Sequence, residues 1–225
     1  ARPNNRRFQP ASLTELTLFW TPCSSNVRLR LVARPKEFDR EEALRRAIPV
    51  FWEHGFAGTS TDDLVQAMGI GRQSLYDTFG DKRGLFLEAL RVYNTDSLTT
   101  VFRKLREGPT TMAALERILI DGAQAPSKQR LLGCMGVNSV CELAGEDAEV
   151  AALNQTNAAL LEATLKDVID DGQARGNVRR GIDSRAAARF LAATMSGLMV
   201  QAKAGASPET LRDVARFALA SLRPY

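Results

Sequence analysis

After Arg34 the apolar positions of this chain recur at spacings of three and four, and the alternation that marks a half-buried strand is nearly absent. The pattern predicts helices. The first opens at Asp39-Arg-Glu-Glu42, a D-x-x-E capping box, turns Ala43, Leu44, Ala47, Ile48 and Phe51 to one side, and stops at Gly55. Ser60 caps a short second helix, with Asp62 and Asp63 set against its positive end and Leu64, Val65 and Met68 facing inward. Gly69-Ile70-Gly71 reads as a tight turn into a third short helix, Arg72 to Phe79, which Gly80 breaks. Asp81 then caps a fourth helix reaching about Arg106.

Beyond Gly108-Pro109 the same reading gives helices from Thr110 to about Gln124, from about Ser127 to Ala144, and from Gly145 to about Gln173. Two more follow, one capped by Asp183 and the last opened by Ser207-Pro208. The expected architecture is all-α, about nine helices in two bodies: a small three-helix unit over residues 35–82 and a larger bundle over 83–225.

Composition narrows the classes. With 44% hydrophobic and 25% charged residues the chain of 225 can bury a core, which excludes global disorder. No run of 18 apolar residues occurs, so no membrane-spanning helix and no membrane partner are expected. One histidine, His54, and three cysteines, Cys23, Cys134 and Cys141, are too few and too scattered for a structural zinc site, and any His-centred catalytic dyad would rest on His54 alone. Its place at the end of the first helix suits a dipole or solvent contact instead. Neither catalytic residues nor a cofactor or metal are expected. The odd cysteine count without C-x-x-C suits a reducing, cytoplasmic setting.

Charge is uneven. Residues 1–34 carry six Arg and one Glu, whereas 35–225 hold 24 basic and 25 acidic residues. This basic arm suits a polyanion, or else is a solubilising or non-native leader; residues 1–31 read as a tag, leader or upstream translation, with Val32 as a natural start. Glu15 interrupts the apolar stretch Leu13–Trp20, which argues against a signal peptide.

Residues 60–80 carry the most information. Two short helices joined by a glycine-containing turn have helix-turn-helix spacing. Leu64, Val65, Met68, Leu75 and Phe79 can pack the pair, leaving Arg72, Gln73 and Ser74 at the exposed start of the second helix. Arg suits guanine O6/N7, Gln suits adenine, and Ser suits several base edges or phosphate. Backbone amides near Thr61 offer a helix N-terminus to phosphate, Tyr76 a phenol and Lys82 a charge. Residues 35–90 hold seven basic and ten acidic residues, so specific binding with few phosphate contacts is expected rather than general polyanion binding.

The run Ala43-x-x-x-Ala47-x-x-x-Phe51, then Gly55-Phe56, Thr59-Ser60-Thr61, Ala67-x-Gly69-Ile70 and Leu75-Tyr76-x-x-Phe79-x-x-Lys82-x-x-Leu85-Phe86 resembles the N-terminal domain of TetR-type transcriptional regulators over about 55 residues. The resemblance implies phosphate contacts from Thr61, Tyr76 and Lys82 and base contacts from Arg72, Gln73, Ser74 and Asp77. It also departs from the family pattern: Gly71 stands where Ser is common, Asp77 where His or Tyr is common, and Gly80 where Pro or Lys is common. Asp77 can accept from cytosine N4 or pair within the protein with Arg72 or Arg83, the latter being favoured.

For the larger body the resemblance implies a homodimer, with helices over about 184–204 and 207–222 forming a four-helix bundle with the partner, and a small-molecule effector held in the bundle. Palindromic double-stranded operator DNA would then be the second partner, read by a ligand-responsive regulator and released by a small, mainly apolar effector. Leu132-Gly-Cys-Met-Gly-Val-Asn138 resembles the Gly-Cys-x-x-x-Asn segment of one broad subset of the family. On one continuous helix Cys134, Asn138 and Cys141 share a face. They read either as ligand contacts or a thiol sensor, or as packing cysteines and a satisfied core amide. An all-α enzyme lacks a catalytic constellation here, and a helical module that binds only protein would show no salt-dependent DNA affinity.

Overall fold

The computed structural model describes residues 38–143 and 145–224. The basic arm, with Trp20, Cys23 and the expected start at Val32, lies outside the described residues. Among these the chain is all-helical, with ten helices: α1 (Arg40–His54), α2 (Thr61–Met68), α3 (Arg72–Phe79), α4 (Lys82–Glu107), α5 (Thr111–Gln124), α6 (Ser127–Leu132), α7 (Met135–Leu143), α8 (Ala148–Ala174), α9 (Ser184–Lys203) and α10 (Pro208–Ala220). The tenth arises because the helix expected over about 127–144 is two. Gly133 adopts φ 66°, the left-handed region, with its amide bonded to the Arg130 carbonyl at 3.2 Å.

Local chemistry sets the starts. Asp39 accepts from the Glu41 and Glu42 amides, but the expected reciprocal half of the box is missing because Glu42 instead takes the Arg46 Nε–H at 2.9 Å. Ser60 and Asp63 form the complete box at α2. Asp81, Thr110, Asp147, Asp183 and Ser207 each cap the helix that follows.

Two apolar clusters hold the structure. The first gathers Leu44, Phe51, Leu64, Met68, Leu75 and Phe79 from α1–α3 with Leu85, Phe86, Leu87, Ala89 and Leu90 of α4, and also Met135 and Val150, so burial crosses residue 82. The second joins α5, α8, α9 and α10 through Leu115, Leu119, Leu165, Ile169, Leu191 and Leu211. Helix α4 serves both, giving Phe86 to one and Leu105 to the other. Its 26 residues make a rod of roughly 39 Å at 1.5 Å per residue. Arg40 fastens α1 to this rod through Nη2, which donates to both Glu88 carboxylate oxygens at 2.8 and 2.7 Å, its guanidinium 4.9 Å over the Phe79 ring.

The start of α4 is tied to the start of α8. Arg83 donates to both Asp147 oxygens at 2.7 and 2.9 Å and lies 3.4 Å from Glu149. Hydrogen bonding to Arg83, aided by the Val150 and Glu149 amides, holds the Asp147 carboxyl at about 2, while the same pair raises Arg83. Because the folded value lies below the unfolded one of about 3.9, this contribution is complete above pH ~4 and is lost as pH falls towards about 2. Asp147→Asn keeps a capping oxygen but loses the charge. Thermal melts from pH 7 to 2 are expected to place the variant below the parent at pH 7, the two curves converging at pH 2.

Candidate nucleic-acid interface

Helix α3 is positioned from its buried side. Leu75 is fully enclosed and Phe79 5% exposed, while Arg72, Gln73 and Tyr76 are exposed and Ser74 is half-buried. The turn from α2 works because Gly69 is left-handed at φ 67°, its amide closing onto the Val65 carbonyl, while Gly71 is extended and caps α3 with no side-chain bond. Thr61 begins α2 and is half-buried, one residue after the Ser60 cap.

The exposed groups of α3 already have partners, on α2 and within α3 itself. Arg72 Nη2 donates to Asp62 Oδ1 of α2, and that hydrogen bond raises the guanidinium above its ordinary value. Gln73 Nε2 donates to Asp77 Oδ1 at 2.8 Å. Asp77 therefore takes neither of the partners offered by the sequence: Arg72 is on Asp62, and Arg83 is on Asp147. Both alternatives lie off the i, i+4 ridge that brings Gln73 against it.

Lys82 has a further position that its motif did not disclose. Its Nζ donates to the Phe56 and Thr59 carbonyls at 3.0 Å each and sits 4.4 Å over the Phe56 ring. Two of its three donors thus fasten the start of α4 to the loop that leads into α2. The same loop is gripped from α7, where Glu142 accepts the Phe56 amide at 3.0 Å and the Ala57 amide at 2.7 Å.

The larger bundle holds a cavity of about 490 Å³ bounded by α1 and α4–α9, with Trp52, Tyr93, Cys134, Leu161, Met195 and Met199 on its wall. Trp52 meets Tyr93 edge-on at 5.2 Å and donates its indole N–H to the Gly133 carbonyl at 3.3 Å. Burial and then the neighbouring Cys134 thiol push the Tyr93 phenol up. Cys134, at the α6–α7 joint, is half-buried against this cavity. Asn138 is not on its wall: its amide donates to the Leu132 carbonyl at 3.0 Å and closes the end of α6. Cys141 is exposed. The break at Gly133 is what separates residues that a continuous helix would have aligned. Lys104, Asp121, Arg130 and Trp52 reach the cavity from separate elements, and no local sequence signal pointed to them.

On the other side of the bundle α9 presents a stripe of Phe190, Ala193, Gly197 and Val200, all exposed, and α10 presents Val214 and Phe217, the latter 84% exposed. His54 is exposed in the last turn of α1. Among the described residues no group of three or more His, Cys, Asp or Glu side chains could hold a metal ion, and no helix is long and apolar enough to cross a membrane.

Comparison with known proteins agrees with this arrangement. Residues 43–89 match the family described as bacterial regulatory proteins of the tetR family, and residues 138–224 match the C-terminal region of BetI-type transcriptional repressors. The chain is 35% identical over 187 residues to the uncharacterized HTH-type transcriptional regulator YezE of Bacillus subtilis, covering 81% of this chain and 95% of that one. It is 33% identical over 184 residues to the HTH-type transcriptional repressor ComR of Escherichia coli, covering 81% and 88%. A cysteine-substituted form of the TetR family regulator CifR, solved on 26-bp double-strand operator DNA, superposes with a TM-score of 0.72 at 30% identity, covering 84% of this chain and 99% of that one. These relatives are regulators, not enzymes, and with an exposed helix α3 on a helix-turn-helix scaffold this chain belongs to the TetR family of DNA-binding transcriptional regulators.

Proposed function

We infer that the protein is a homodimeric repressor acting in the cytoplasm, which binds a palindromic operator and is released by a small effector with a mainly apolar body. The observation that carries this is the α3 surface: Arg72, Gln73 and Tyr76 stand exposed on a helix fixed from behind by Leu75 and Phe79. Arg72, Gln73 and Ser74 read base edges, while Thr61, Tyr76 and the remaining donor of Lys82 meet phosphate. The exposed stripes of α9 and α10 support pairing with a second copy, since apolar side chains such as Phe217 gain most by being covered. A two-fold dimer reads half-sites one helical turn apart, ~34–36 Å.

The domain division follows the same logic, with residues 35–82 as the DNA-binding unit and 83–225 as the effector and dimerisation unit. The coupling between them has physical parts. Helix α7 follows directly on the cavity residues Gly133 and Cys134 and carries Glu142 in its last turn, where it grips the loop before α2. Helix α4 runs from Lys82, on the same loop, to Lys104 at the cavity. An effector that shifts either helix moves the α2–α3 pair, with a coupling of typically ~1–3 kcal/mol.

The test is binding to DNA flanking the protein's own gene, titrated with salt and non-specific competitor. Expected are a competitor-resistant complex with a two-fold footprint and a shallow salt slope, each neutralised phosphate adding about −0.9 to it. Weak binding indifferent to sequence would tell against the reading.

A further inference from the structure

The charged groups on the cavity wall are not equivalent. Lys104 is neutralised by Asp121 at 2.7 Å, and Asp96 faces Arg45 at 3.6 Å. Arg130 differs. Its Nη1 donates to the Ala125 carbonyl at 3.2 Å, but its Nε is shielded from solvent with no hydrogen-bond partner, and no carboxylate of the described residues lies within ion-pair distance of the guanidinium. Among the described residues the cavity wall therefore carries one cation without a counter-charge, Arg130, beside the paired Lys104, Asp121 and Asp96 and a largely apolar and aromatic remainder.

We propose that the cavity binds an amphipathic carboxylate, its oxyanion paired with Arg130 and its apolar body against Trp52, Leu161, Met195 and Met199. This rests on the reading of the cavity as the effector site. Arg130 is half-buried with its Nε shielded from solvent, and its guanidinium presents donors in a fixed planar fork. A buried donor without an acceptor is unfavourable, and a planar fork of N–H groups is matched by the two oxygens of a carboxylate. A neutral apolar molecule would strip water from the guanidinium and return nothing. An amine would meet like charge. A volume of about 490 Å³ suits a molecule of aryl- or medium-chain-acid size.

The site of this charge also gives the ligand a handle on regulation. Arg130 lies on α6, three residues before the left-handed Gly133 that joins α6 to α7. The Gly133 carbonyl takes the indole N–H of Trp52 from α1. An anion that draws Arg130 inward acts on this joint, and through α7 on Glu142 and the loop before α2.

The experiment is calorimetric titration of the full chain with acids of four to ten carbons, straight-chain and aryl, each beside its primary amide and the matching amine. At least one acid is expected to bind about tenfold or more tightly than its amide, with the amine weakest. This comparison needs no variant. Arg130→Gln is expected to bring that acid down to the affinity of its amide and leave the amide unchanged, which also shows the variant to be folded. Acids that never exceed their amides, or an acid indifferent to Arg130→Gln, would overturn the proposal. Operator affinity is read in parallel. Release by the bound acid supports the regulatory role; tight acid binding with operator affinity unmoved upholds the anion site and overturns the effector reading beneath it.

Discussion

Arg72→Ala is expected to weaken operator binding by roughly thirty-fold to 10⁴-fold while leaving the thermal melt unchanged. A good bidentate contact between arginine and a base edge supplies ~1–3 kcal/mol of discrimination, and a two-fold complex loses it in both half-sites. The ion pair between Arg72 and Asp62 does not oppose this. Both side chains are largely exposed, 55% and 79%, and a solvent-screened pair of this kind contributes little, less than one base contact returns. Asp62→Asn is accordingly expected to leave operator affinity within a few-fold of the parent or raise it. The distinguishing readout is specificity. With anisotropy titrations at fixed salt, Arg72→Ala should narrow the gap between operator and a variant changed at the contacted base pair. Tyr76→Phe should weaken both DNAs alike, as loss of a phosphate donor does. Operator affinity unchanged in Arg72→Ala would remove Arg72 from the reading surface.

That surface was legible in the sequence because it depends on local rules. Leu75 and Phe79 lie four apart and bury one face of α3, which leaves Arg72, Gln73, Tyr76 and Asp77 exposed on the other. The Ser60 cap, the Asp81 cap and the missing cap at Gly71 are likewise set within one turn of chain, whereas the reciprocal Asp63 half of the α2 box was not read and the box read at Asp39–Glu42 is incomplete. What escaped are contacts made across long separations. Nothing near Lys82 announces that the Phe56 and Thr59 carbonyls will occupy it, since those partners are 26 and 23 residues away. The partner of Asp77 was missed by weighing charge over geometry: Gln73 at i−4 shares its face, whereas Arg72 and Arg83 do not. The break at Gly133 was hidden because its surroundings are apolar and helix-compatible in sequence. The Lys203 Cβ and the Met199 carbonyl, each 3.3 Å from where a Cβ would stand, show how closely α9 passes there. A cavity assembled from α1 and α4–α9 has no single stretch in which to be read, so Arg130 and Trp52 looked like ordinary helix residues.

Phe86→Ala carries the largest expected cost in stability, ~3–5 kcal/mol, against a total of ~5–15 kcal/mol for a typical domain. Phe86 is 2% exposed, and its ring meets those of Phe51 at 5.1 Å and Phe56 at 5.2 Å. It therefore joins α4, α1 and the loop before α2 at one point. At ~2–4 °C per kcal/mol for a chain of this size, the melt should fall by roughly 6–20 °C at fixed protomer concentration. Phe86→Leu, which refills much of the volume, should fall less. The effect on DNA binding should exceed what instability alone predicts. Phe56 rests on Phe86, Lys82 rests on Phe56, and the Lys82 bonds to the Phe56 and Thr59 carbonyls fix the loop from which α2 starts. Removing the ring loosens the support of the α2–α3 pair, so even well below its melting point the variant presents Arg72 and Gln73 in many orientations instead of one. Operator affinity measured 20 °C below the midpoint of each protein separates the two effects. A deficit that persists there assigns Phe86 to orienting the reading helix, and recovery to the parent value would confine the ring to holding the core together.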